Sequence, residues 1–100
     1  MTDPVLRLLA EMRDRPALYI GRCSVVALFL FLAGYRAALR EHTDLDLSGY
    51  ATFIEGLYDR YGRGGGGHSW AYVLTEVAGG DAEGLQLFFE ELEAFRRSSP

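Results

Sequence analysis

"CSVVALFLFLAGY", residues 23–35, carries no charged side chain and is bracketed by Arg22 and Arg36. A helix that crosses a bilayer needs about 20 predominantly apolar residues. This run is too short for that and too apolar for a surface, so it reads as the middle of a core helix, apolar on nearly all sides. That helix is expected over about Ser24 to Glu41, with Arg36 and Arg40 near its negative end. Ser24 or Cys23 stands at its start.

Working outward toward residue 1, Asp3-Pro4 suits a helix start, because Asp caps free amides and Pro is tolerated in the first turn. Val5, Leu8, Leu9 and Met12 then recur on one helical face. Pro16 ends that helix. Residues 17–21 read as a connector whose Leu18, Tyr19 and Ile20 are too apolar to be left in water, so they are expected to tuck under the helices.

Toward residue 100, Asp44 to Leu47 reads as an extended linker and Ser48 as the cap of a further helix. Tyr50, Phe53, Ile54, Leu57, Tyr58 and Tyr61 follow the i, i+3, i+4, i+7 pattern there. "GRGGGG", residues 62–67, ends it in a glycine connector. Ser69 is the expected cap of a short helix with Trp70, Val73, Leu74 and Val77 on its buried stripe. Gly79-Gly80 breaks that helix and Asp81 starts the last one. In the last helix Leu85, Phe88, Phe89, Leu92 and Phe95 face inward, while Glu90, Glu91 and Glu93 face water.

No run of β-branched residues alternates with polar ones over a useful length. The expected fold is therefore all-α: a single-domain bundle of about five helices over residues 1–97 around the central apolar helix, with residues 98–100 as a frayed tail. One hundred residues, 49% of them hydrophobic, suffice for one core without metal or disulfide. The 13 aromatic residues predict an aromatic-rich core.

The formal net charge is -4. It is uneven, because residues 1–50 balance six Arg against six acids whereas residues 51–100 carry four Arg and eight acids. A nucleic-acid binder needs a cationic stripe, which is missing, and an acidic face suits a basic partner. A solvated helix surface is the plainer account of the same acids. Cys23 is the single cysteine, so no internal disulfide forms and a reducing compartment is the natural setting; a buried structural thiol is expected. With no basic region followed by an apolar stretch and a cleavage site, the expected location is the cytoplasm, away from membranes.

Chemistry-bearing constellations are sparse. "RPALYIG", residues 15–21, resembles a tract of the ATPase region of type II topoisomerases over about seven residues. That family places an acidic base and a metal-holding Asn on the following helix. Here that helix has no carboxylate before Glu41, and the chain has no Asn. "GGGGHS" lacks the Lys of a phosphate-binding P-loop and follows a helix instead of a strand. His68, Ser69 and Asp81 have the residue types of a catalytic triad, but a triad is defined by geometry. His42 and His68 give no ligand spacing of the strong kind. No cofactor, metal or catalytic residue is expected, and His68 on a surface loop is the simpler reading.

A wider pattern runs from Arg15 to Phe95: "RPALYIG", "SVVALFLFLAGY", "HSWAYVLTEVAGGD" and "LQLFFEELEAF". It resembles a family of small, mostly helical bacterial proteins with an R-P-x-x-Y-[IL]-G, S-x-x-x-L-x-x-F-L-x-G-Y and F-F-x-x-L-x-x-F pattern. Some members of that family look like immunity partners of secreted toxins. The motif also has a structural reading, in which Arg15 bonds carbonyls at the end of the first helix, Tyr19 buries its ring, and Gly34 admits a close neighbour.

What the resemblance implies is a non-enzymatic domain that neutralises a basic toxin through an acidic surface. The candidate partner-binding residues are Asp44, Asp46, Glu76, Asp81, Glu83, Glu90, Glu91 and Glu93. The alternatives are a self-associating helical structural or regulatory protein, and a small-molecule-binding or hydrolytic protein using the His68 loop.

Overall fold

Helix-start chemistry decides where the elements begin. In the computed structural model, which describes residues 3–42, 44, 46–62 and 69–98, the helices are α1 (Pro4–Met12), α2 (Pro16–Ile20), α3 (Val25–His42), α4 (Ser48–Tyr61), α5 (Trp70–Ala78) and α6 (Asp81–Ser98). No strand occurs among the described residues. The all-α bundle is thus as the periodicities predict, with one helix more.

The extra element is α2, in the segment expected to be a connector. Pro16 ends α1 and also opens α2, since its fixed φ and missing N–H suit the first turn of a helix. Gly21 closes α2 at φ 85°, with its amide on the Ala17 carbonyl at 2.9 Å. That left-handed C-cap explains the glycine of the motif.

Asp3 caps two helices at once. Its Oδ1 accepts from the amides of Val5 (2.9 Å) and Leu6 (3.1 Å) at the start of α1. Its Oδ2 accepts from the Tyr50 amide at 2.9 Å, in the first turn of α4. One carboxylate, only 1% exposed, therefore faces the positive ends of two helices. Gly49 makes room for it: a Cβ there would lie 3.0 Å from Leu6 Cδ1 and 3.2 Å from Asp3 Oδ2. Ser48 is not the cap expected of it. It is the first residue of α4, and its own amide donates to Asp46 Oδ1 at 2.9 Å.

Two caps agree with the sequence pattern. Ser69 Oγ accepts from the Tyr72 amide at 3.1 Å and starts α5. Ser24 Oγ accepts from the Ala27 amide at 3.0 Å and starts α3.

The core forms where α5 lies along α6 and both meet α3, with α4 closing the other side. Phe88 of α6 is its hub: it stacks on Trp70 at 4.9 Å and meets Phe53 edge-on at 5.4 Å. Phe29 and Phe95 extend the cluster, each 5.4 Å from a partner ring, Trp70 and Phe53 respectively. Such ring pairs contribute about 0.5–1.5 kcal/mol each beyond their buried area. Gly84 lets α6 approach, because a Cβ there would lie 2.9 Å from Val25 Cγ1 and 3.3 Å from the Leu74 backbone.

Several burial expectations are corrected. Leu18 is 74% exposed and Tyr19 is also exposed: α2 has only five residues and packs on α1 and α3 with its other side turned to solvent. Cys23 is exposed, standing in the turn before α3 and not within it. Central α3 is not covered on all sides: Val26 and Leu30 are exposed, and a Cβ at Gly34 would meet nothing within 4 Å. Tyr58 and Val77, placed on buried stripes by spacing, lie at their edges and are exposed.

Candidate functional site

The acidic face of α6 is where the sequence-selected residues and a concave surface coincide. Its periodicity sends Leu85, Phe88 and Leu92 into the core and leaves Ala82, Gln86, Phe89, Glu90 and Glu93 beside a groove of about 470 Å³. Pro16 and Cys23 complete the apolar floor with Leu85 and Phe89, and Arg13 stands on the rim. Pockets of about 300–1,000 Å³ with apolar walls and a few polar groups are the usual form of a ligand or side-chain site.

The rim is charged on balance negative. Arg13 pairs with Glu93 across the groove and lies 3.7 Å from Asp14. Glu90 is exposed and accepts a hydrogen bond from Gln86 Nε2 at 3.4 Å. Among the lining residues one cation, Arg13, thus stands with two carboxylates, Glu90 and Glu93.

The other candidates have different employment. Glu91 points the other way on α6: Arg60 meets it at 2.6 Å and the Tyr61 hydroxyl donates to it at 2.5 Å, joining α6 to α4. That hydrogen bond raises the Tyr61 pKa, because the neutral phenol is the donor. Asp81 caps α3, accepting from the Val26 amide at 3.1 Å. Its pKa is lowered, first by the Ser24 hydroxyl and then by the α3 amides and Arg22. Asp46 is lowered by its bonds from Ser48. Asp44, Glu76 and Glu83 are exposed and do not line the groove. The structure therefore gathers Glu90 and Glu93 at one concave surface and distributes the remaining six.

A second polar cluster lies inside the bundle. Tyr50 is buried, Arg36 sits 5.1 Å from its ring centroid, and the Trp70 side chain bonds to it. Burial pushes the Tyr50 pKa up to about 12, against a smaller opposing effect of Arg36. The cluster joins α3, α4 and α5.

Arg13, Pro16, Cys23, Gln86 and Phe89 were not selected as site residues by sequence reasoning. Pro16 alone carried a signal, through the "RPALYIG" motif. The others become neighbours only when α6 returns beside the α1–α2 corner. His68 and residues 63–67 lie outside the described residues, as does the side chain of His42. Among the described residues no three His, Cys, Asp or Glu side chains converge as metal ligands, and no helix is long and apolar enough to cross a membrane.

No protein-family model, curated protein or solved structure matches this chain.

Proposed function

We propose that the chain is a non-enzymatic protein-binding domain that docks a cationic partner on the groove beside α6, in the manner of an immunity protein that neutralises a toxin. The observation that carries this reading is the apolar floor of Pro16, Leu85 and Phe89 beneath the carboxylates of Glu90 and Glu93. A groove of this kind takes one aromatic or aliphatic anchor, and the rim selects an anchor flanked by Arg or Lys. The overall charge of -4 steers such a partner toward the protein.

The test is capture followed by discrimination. Tagged protein and a variant with Gln86→Arg and Glu90→Arg are used side by side on extracts of the native cells. Both substituted positions are exposed, so the fold is retained. The reading requires a stoichiometric basic partner that the variant loses, and whose toxicity on co-expression is relieved by the native protein only. A partner retained equally by the variant contradicts it.

A further inference from the structure

The outward face of α3 is an apolar surface that the groove does not use. At 100° per residue, Val26, Leu30, Ala33, Gly34, Ala37 and Ala38 all fall within about 80° of Leu30. Leu30 is 64% exposed and Val26 41%. Ala33, Gly34 and Ala38 are exposed and Ala37 is half-buried. Branched apolar side chains stand in the first half of this face and only small residues in the second half. Its first charges come at the ends, Arg22 before α3 and Arg40 and Glu41 near its last residue, all exposed.

We infer that a second copy of this chain covers this face, with the two α3 helices antiparallel about a two-fold axis passing between residues 31 and 32. In that register Leu30 of each copy meets Ala33 of the other, and Val26 meets Ala37. Each large side chain fills the space a small one leaves, which is how closely approaching helices interdigitate. A parallel pairing sets Leu30 on Leu30 and leaves a gap over Ala33, Gly34 and Ala37.

The charges choose the same arrangement. Antiparallel copies bring Arg22 opposite Glu41 twice and put Arg40 opposite the uncharged Cys23; a parallel pair brings like charges together. The helix dipoles also oppose one another favourably. The surface is thus complementary to itself under two-fold symmetry, as an isologous interface has to be. A single helix pair buries less than the about 1,200 Å² of a standard interface, so the association is weak and concentration-dependent. It is independent of the groove, and either proposal can fail alone.

Sedimentation equilibrium across a concentration series is expected to show monomer and dimer in exchange. Leu30→Glu, at an exposed position, should weaken the dimer at least about tenfold by burying an unpaired carboxylate, with unchanged helical circular dichroism. Glu41→Arg should weaken it by setting like charge opposite Arg22 of the other copy. Oxidative cross-linking reads the register. With Cys23→Ser as background, residues 33 of the two copies lie about 5 Å apart along the axis and residues 38 about 20 Å. Ala33→Cys should cross-link rapidly, whereas Ala38→Cys, and Cys23 in the native protein, should not. A protein that stays monomeric at millimolar concentration, an Ala33→Cys variant that fails to cross-link, or equal cross-linking at all three positions overturns the proposal.

Discussion

Removing the Asp3 carboxylate should cost more than any other single polar substitution. Asp3→Ala leaves three amides, those of Val5, Leu6 and Tyr50, without their acceptor, and the Val5 and Tyr50 bonds are buried. Loss of a helix cap costs about 0.5–2 kcal/mol. A buried donor left unpaired costs about 1–3 kcal/mol. With two helix starts affected, the expected loss is about 3–5 kcal/mol, a large part of the about 5–15 kcal/mol that holds a domain folded. At about 4–8 °C per kcal/mol for a chain of this size, thermal denaturation followed by circular dichroism should shift down by at least about 12 °C. Asp3→Asn keeps one acceptor for α1 but turns an NH2 toward the Tyr50 amide, so it should lose an intermediate amount. An Asp3→Ala protein within about 0.5 kcal/mol of the native one would refute the two-helix cap, because even one peptide-scale cap accounts for that much.

Four further outcomes follow from the packing and the titrating groups. Gly84→Ala should destabilise by about 1 kcal/mol in a urea titration, because overpacking of about 1–3 kcal/mol exceeds the helix-propensity gain of about 1 kcal/mol, and Val25→Ala in the same chain should relieve part of it. Tyr50 keeps its proton in the folded state up to about pH 12 while the unfolded chain ionises near its ordinary value. Stability should therefore fall as pH rises from about 10 to 12, by about 2–3 kcal/mol in all, and Tyr50→Phe should remove that alkaline slope. For Asp81 the sign is opposite: its lowered pKa adds stability above the ordinary carboxylate range, lost as pH falls through the folded value, and Asp81→Asn should flatten the acid side of a melting-temperature profile. Glu91→Gln should bring the Tyr61 phenol back toward its ordinary pKa in an ultraviolet titration, since the hydrogen bond to Glu91 is the largest cause of its rise.

The bundle was legible because its helices announce themselves locally. Asp3-Pro4, Ser24, Ser69 and Gly79 each terminate a helix through bonds to residues at most four away, and the apolar stripes of α1, α4 and α6 repeat at helical spacing. What was not legible depends on distant partners. Nothing local says that Asp3 also caps α4, 47 residues on, since Asp46 and Ser48 offer a sufficient local start. Hydropathy placed Leu18, Tyr19 and Leu30 inside, yet burial needs a neighbouring helix, and among the described residues none covers those side chains.

The candidate surface was half legible for the same reason. Glu90 and Glu93 stood out as an acidic stretch, but their neighbours Glu91 and Asp81 are committed to Arg60 and to the α3 amides. Spacing along α6 separates Glu90 from Glu91 by about 100° of rotation, which decides that one borders the groove and the other faces α4. The floor draws on three separate parts of the chain, and no motif joins Pro16, Cys23 and Phe89.

The central claim is that the groove beside α6 receives an apolar anchor between cationic neighbours. It is tested most directly by amide chemical-shift mapping of the native protein with two short peptides of equal length. One carries a leucine or tryptophan anchor flanked by arginines; the other has glutamate in place of each arginine. The account predicts saturable shifts confined to Arg13, Cys23, Ala82, Gln86, Phe89 and Glu90 with the cationic peptide alone. Shifts centred on α4 or α5, or equal responses to both peptides, would contradict it.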